Sequence, residues 1–285
     1  RSRGLGDVYK RQGNERAKKK IIEIIDDFGL DFYLAATQQL VDDAEVQSRA
    51  KIKKLIPGKY RSRTFCDTTG PETRLRVVEL EMEVTTEGDL IFRTPVISPQ
   101  VKGYNQCALP GVEGLVFSVL LSQIFYDVRW NSGTARLVKF EIPPGSAMNV
   151  KEDAALAYCP VGFGMQLMGA VNDCLSRAAY VSGEYDKIFA PCEIVNGITY
   201  FCLDRFARVR AGILADCLCI GGGARYDRDG PDSSVTQWNP WSECGDLEGY
   251  EMVAPILYLG RRHLPDSGGF GKYRGGAAGE TLFMP

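Results

Sequence analysis

Histidine is almost absent from this 285-residue chain: His263 is the only one. A metal centre built from several imidazoles cannot be completed by these residues, because transition metals favour clustered His and Cys ligands. An excess of charge of one sign is also missing. Lys and Arg number 34 against 36 Asp and Glu, for a net charge of −2. That leaves no basic field for phosphate backbones and argues against nucleic-acid binding. Long apolar runs are lacking too. The longest, Gly114 to Val128, is broken by Ser118, Ser122, Gln123 and Asp127, so neither a membrane span nor a signal peptide is predicted. Paired Cys-x-x-Cys spacing does not occur. The cysteines are nine, an odd number spread over a long chain, which predicts reduced thiols in the cytoplasm rather than a disulfide frame. Cys217-Leu-Cys219 alternates as two residues on one strand face would, and buried free thiols are the better reading than zinc.

What is present is ordinary globular composition, 45% hydrophobic and 25% charged. Asn14 reads as an N-cap, with Ile21, Ile22, Ile24, Ile25 and Phe28 on the helix it opens and Gly29 closing it. Asp31 caps a second helix that ends at Pro57-Gly58, and the two are predicted to form a hairpin. From Lys59 the period becomes two. Strands over Tyr60–Cys66, Leu75–Val84 and Leu90–Phe92 form an antiparallel meander, with Glu79, Glu81 and Glu83 on its wet face. Helices follow over about Val112–Asp127 and Gly162–Tyr180, with a strand at Leu137–Ile142 between them. The last third reads as strands Ile198–Leu203, Gly212–Ile220 and Val253–Leu259 separated by glycine-rich loops. In one of these, Asp227, Asp229 and Asp232 miss the EF-hand spacing and read as a solvent turn. The fold class predicted is α+β, mixed helices and mainly antiparallel strands in one large compact body without a phosphate-loop domain.

Arg261 to Gly276, Arg-Arg-His-Leu-Pro-Asp-Ser-Gly-Gly-Phe-Gly-Lys-Tyr-Arg-Gly-Gly, is least like a packing element. A phosphate loop fails at both ends, since Asp266 stands where its first glycine belongs and Tyr273 where its hydroxyl residue belongs. A dinucleotide fingerprint fails because Arg274 occupies the third glycine position. Two readings of Asp266 remain open. Pro265 fixes the backbone before it and Ser267-Gly268-Gly269 turns the chain after it, so a carboxylate held ionised by Arg261, Arg262, Lys272 and Arg274 could orient a carbonyl compound or a water. Alternatively it caps its own loop.

The run Arg-x-x-x-Pro-Asp-Ser-Gly-Gly-x-Gly-x-x-Arg-Gly-Gly resembles the signature near the C-terminal end of the hydantoinase B/oxoprolinase family. Ser98 to Asn105, and Pro143 to Asn149 with its Pro-x-Gly-Ser-x-x-Asn pattern, are similar to two further family segments. The resemblance covers residues 13–285 as a partial domain. It implies part of a large subunit that works in a hetero-oligomer with a hydantoinase A-type ATP-handling partner on a small carbonyl substrate. ATP would be handled by that partner, and a metal ion, manganese in the carboxylases, would sit in a part preceding this chain. The implied activities are ketone carboxylation, favoured by Glu251 to Gly276, or cyclic amide hydrolysis. Asp266 is then the catalytic candidate, with Arg262, His263, Lys272 and Arg274 as substrate-binding candidates. A competing reading is a scaffold domain with Trp238, Trp241 and Tyr250 as interface anchors. The absence of an initial Met, the end at Phe283-Met284-Pro285 and the terminal string within residues 1–12 predict a fragment of a longer protein.

Overall fold

A computed structural model describes residues 3–157, 163–190, 198–204, 206–214, 221–232 and 245–284. The class is mixed, with largely antiparallel sheets, as the alternating periods predict. Its contacts divide the chain into two units, Arg1–Arg49 with Val128–Leu137 and Ala50–Asp127 with Val138–Pro285, where the sequence suggests one body.

The first unit is helical. α1 (Arg3–Phe28) begins well before Asn14 and passes through Gly13, whose cost of roughly 1 kcal/mol is too small to stop a helix with good formers on both sides. Gly29, at φ 87°, is the stop that the sequence predicts, and α2 (Leu30–Ile52) starts immediately after it. A single-residue break is shorter than the loops of about 2–5 residues that return one helix along another. The predicted hairpin therefore does not pack, and Ile21, Ile22, Phe28, Phe32, Leu34 and Leu40 remain exposed. Asn131 caps the short helix α3 (Ser132–Ala135) through Gly133 N–H at 2.8 Å, and its amide donates to Leu40 O at 2.9 Å. Buried Ser48 and Thr134 share a hydroxyl hydrogen bond of 2.9 Å.

The second unit is built on a four-stranded sheet in the order β1 (Gly58–Thr68), β2 (Thr73–Val84), β3 (Leu90–Ile97), β4 (Val138–Glu141). The first three pair antiparallel and β4 joins β3 in parallel. Helix α5 (Phe163–Ser182) covers β1 and β2 and packs on α4 (Leu109–Gln123). Val78, Leu80, Met82 and Val84 point into this core with Phe92, Leu115, Val119, Leu167, Met168 and Val171. The methionines of α5 are thus core filler. The opposite face of β2 is less wet than its alternating glutamates predict. Glu81 is 3% exposed beneath Lys59 and Arg61, and Arg93 joins Glu83 to Glu141 beside it.

Two hairpins complete the described chain, β5 (Ile198–Leu203) with β6 (Val209–Leu214) and β7 (Leu257–His263) with β8 (Gly279–Met284). The boundaries differ from the predicted ones. Val253 ends a helix, α6 (Leu247–Val253), and β8 follows a glycine-rich stretch with little period to announce it. The Cys217-Leu-Cys219 reading and the Trp238 and Trp241 anchors lie outside the described residues. Among the described cysteines, Cys66, Cys107 and Cys174 are buried free thiols and Cys202 is half-buried.

Candidate functional site

The signature run forms the connection between β7 and β8, and it is tied to a second glycine-rich loop, residues 221–232, largely through backbone. Gly276 N–H donates to Gly222 O at 2.8 Å, Gly222 N–H to Pro231 O at 2.8 Å, and Gly230 N–H to Arg274 O at 2.9 Å. The glycines make this approach feasible. A Cβ at Gly276 would lie 1.9 Å from Pro231 O, one at Gly221 2.1 Å from Gly276 O, and one at Gly230 2.1 Å from Gly222 O. Side-chain oxygens close the remaining bonds. Ser267 Oγ donates to Leu264 O and accepts from Ala278 N–H, both at 2.7 Å. Asp229 accepts Arg274 N–H at 2.9 Å, and Asp232 accepts Ala277 N–H and Arg274 Nη1, each at 3.0 Å. Asp229 and Asp232, two of the three aspartates read as a solvent turn, are therefore half of this crossing. Their loop ends at Asp232, with 28 residues between it and the start of the signature at Arg261, and only proximity in the fold reveals the pairing.

The electrostatics follow from this geometry. The Arg274 guanidinium, the Ala277 N–H and His263 together hold the Asp232 carboxyl below the usual carboxylate range, and Asp232 in turn raises Arg274. Arg262 pairs with Glu280 across the hairpin at 2.5 Å and lines a concavity of about 450 Å³ with Leu259, Gly260, Arg261, Glu280, Thr281 and Leu282. Arg261 Nη1 donates to Gly245 O at 3.1 Å. Three of the four cations predicted to surround Asp266 are thus engaged elsewhere. Lys272, its ammonium 5.2 Å above the ring of Tyr273, makes no ion pair among the described residues.

Asp266 itself is exposed at φ 55°, a left-handed conformation that Asp tolerates better than most residues. Its carboxylate accepts no hydrogen bond among the described residues, so it does not cap its own loop as one reading required. It acts on Arg274 through space. The structure thus brings Asp266 and Arg274 near each other, ties Arg274 and Arg262 to other carboxylates, and leaves Asp266 and Lys272 as the outward groups, with Phe270 fully exposed at the loop tip. Among the described residues no three His, Cys, Asp or Glu side chains converge as metal ligands.

The sequence model described as Hydantoinase B/oxoprolinase matches residues 9–283. The chain belongs to this family. It is 25% identical to the acetone carboxylase alpha subunit of Xanthobacter autotrophicus, over 98% of its own length and 38% of that subunit. It is 24% identical to caprolactamase subunit beta of Pseudomonas jessenii, over 98% of its length and 48% of that relative. The chain thus spans less than half the length of these curated relatives. In fold it is similar to nucleotide-free acetone carboxylase, an enzyme of ATP-dependent acetone carboxylation, with a TM-score of 0.86 and 24% identity over 93% of this chain and 37% of that one. The relatives are named as subunits, alpha and beta, of larger enzymes.

Proposed function

We propose that this family domain is part of the large subunit of an ATP-dependent enzyme acting on a small activated carbonyl compound, and that the reaction is carboxylation of a ketone. The family match over residues 9–283 carries the reading. Similarity to an acetone carboxylase subunit over 98% of the chain, and the Tyr258-Leu-Gly-Arg-Arg262 lead into the signature, favour the ketone branch. Similarity to a caprolactamase subunit over an equal share supports the second reading, ATP-dependent hydrolysis of a cyclic amide. In both, a hydantoinase A-type partner subunit would use ATP to phosphorylate and so activate the carbonyl compound, within a hetero-oligomer in the cytoplasm. The large subunit then places the activated compound and excludes water. Manganese would be held by a part of the parent protein other than these residues.

The roles at the glycine crossing follow from which groups are engaged. Asp266 and Lys272 face outward on a backbone fixed by the Gly276, Gly222 and Gly230 bonds. They are the pair that would meet a substrate, Asp266 as the group orienting a carbonyl compound or water and Lys272 as a cation for its developing charge. Arg262 lines the adjoining concavity, His263 follows it at the end of β7, and Arg274 positions Asp232 rather than substrate. The test uses the full-length protein purified with its ATP-handling partner. ATP-dependent fixation of labelled bicarbonate into acetone or acetophenone supports the ketone reading. ATP-dependent ring opening of a hydantoin or lactam, without fixation, replaces it with the second.

A further inference from the structure

Far along β2 from the glutamate face, Arg76 is in phase with Val78, Leu80, Met82 and Val84 and is buried with them at 2% exposure. Its Nη1 donates to Asn105 O, and its guanidinium carbon lies 4.8 Å from the centre of the Phe163 ring. Nε and Nη2 are buried and meet no acceptor among the described residues. A guanidinium keeps its proton at any ordinary pH, so a full positive charge with two unused donors is enclosed here. Leaving such a charge unpaired is strongly destabilising. Besides burial, the groups that act on its charge are the thiols of Cys66 and Cys107 and the cation Arg74, with no carboxylate among them.

The surroundings add positive potential. Phe163 is the first residue of α5, and its N–H is held by Asn105 Oδ1 at 2.6 Å. Asn105 also donates to Thr68 O at 3.2 Å and Cys66 Sγ at 3.3 Å, so it bridges the end of β1, Arg76 and the start of α5. Helix α4 begins two residues beyond Cys107 without a side-chain cap, and a Cβ on Gly164 would come within 3.4 Å of Cys107 Sγ. Neither helix has an acidic residue in its first turn. Two helix N-termini of 15 and 20 residues therefore start beside one buried guanidinium that has free donors. The backbone of this corner is made by the two other family-like segments, through Gln100 N–H to Gly145 O at 2.9 Å, Ala147 N–H to Ser98 O at 2.9 Å and Cys107 N–H to Ala147 O at 2.8 Å.

We infer that Arg76, with the starts of α4 and α5, forms a binding site for a small oxyanion of the carboxylate, bicarbonate or phosphate class. The planar Nε–Nη2 edge presents two parallel donors, the pattern that matches two oxygens of such an anion. This inference stands apart from the choice between ketone and amide substrates. It concerns a site remote in sequence from the glycine crossing.

The test is thermal melting of the chain at constant ionic strength, with chloride replaced stepwise by bicarbonate, inorganic phosphate or acetate. A saturable rise of about 5–10 °C at a hundredfold excess over Kd is expected for at least one of them, and the three arms identify the class. Arg76→Met should abolish that rise and melt higher than wild type without anion, because it removes an unpaired buried charge and keeps the volume. If the Met variant does not fold, Arg76→Lys decides: anion affinity at least tenfold weaker supports the site, and unchanged affinity refutes it. A wild-type melting point indifferent to all three anions, or an equal rise in Arg76→Met, overturns the inference.

Discussion

Replacing Gly276 by alanine tests whether the two glycine loops are held by close backbone crossing. The added Cβ would sit 1.9 Å from Pro231 O, 2.6 Å from Pro231 C and 2.9 Å from Gly222 N, all of them backbone atoms that cannot rotate away. Restoring even a 3.0 Å separation from Pro231 O requires the loops to part by 1.1 Å, the difference between 3.0 and 1.9. A displacement of that size strains or breaks the bonds from Gly276 N–H to Gly222 O and from Gly222 N–H to Pro231 O. Overpacking costs about 1–3 kcal/mol and each lost hydrogen bond about 1 kcal/mol, so a total of about 3–5 kcal/mol is expected. For a domain of this size that lowers the melting temperature by roughly 10 °C. Gly269→Ala is the matched control, since its Cβ meets nothing within 4 Å and its carbonyl can still accept Gly275 N–H. Calorimetric melting of both variants, with amide exchange of Gly222, Gly230 and Gly276, separates a local opening from a global loss. Equal melting temperatures for the two variants, with the three amides still protected, would refute the crossing as the source of rigidity.

Asp266→Asn keeps the left-handed turn and loses no hydrogen bond, so stability should change by less than about 0.5 kcal/mol. In the assembled parent enzyme it should lower turnover more than roughly a hundredfold if its charge orients the reacting group, and near-normal kcat sinks that role. Asp232→Asn carries a pH signature. The folded pKa of Asp232 is depressed, so its stabilising contribution is fully present above the unfolded carboxylate value and disappears as pH falls through the lower folded value. The difference in melting temperature between wild type and Asp232→Asn should therefore be flat at neutral pH and close in acid; a difference that grows on acidification contradicts the assignment. Burial pushes the Cys174 thiol up to about 12, so it should resist alkylation in the native protein at pH 8 and react on unfolding, as read by mass spectrometry. Glu81→Ala, by removing the acceptor of Arg61 and Lys59, should cost about 2 kcal/mol in denaturant melts, more than Glu87→Ala at an exposed turn.

Local residue patterns were enough to assign the class of fold, the meander, the helix stop at Gly29 and the family. Each rests on a local rule: alternation along β2, a left-handed residue after a helix, a run of glycines spaced as the family spaces them. Arg76 stands in phase with Val78, Leu80, Met82 and Val84, but a charged residue in that pattern gives no sign by itself of burial. Residue order could not say which acceptors the signature cations would find. Arg274 could have met Asp266 eight residues earlier, but the fold gives it Asp232 from another loop; Arg262 is taken by Glu280 because β8 pairs with β7 in that register. The same limit explains Glu81, which alternates like a solvent residue and is covered by three cations from neighbouring strands. Period and propensity act over a few residues, whereas the partner of a charge is chosen among groups distant in sequence by register and loop crossing, and that choice only tertiary structure makes.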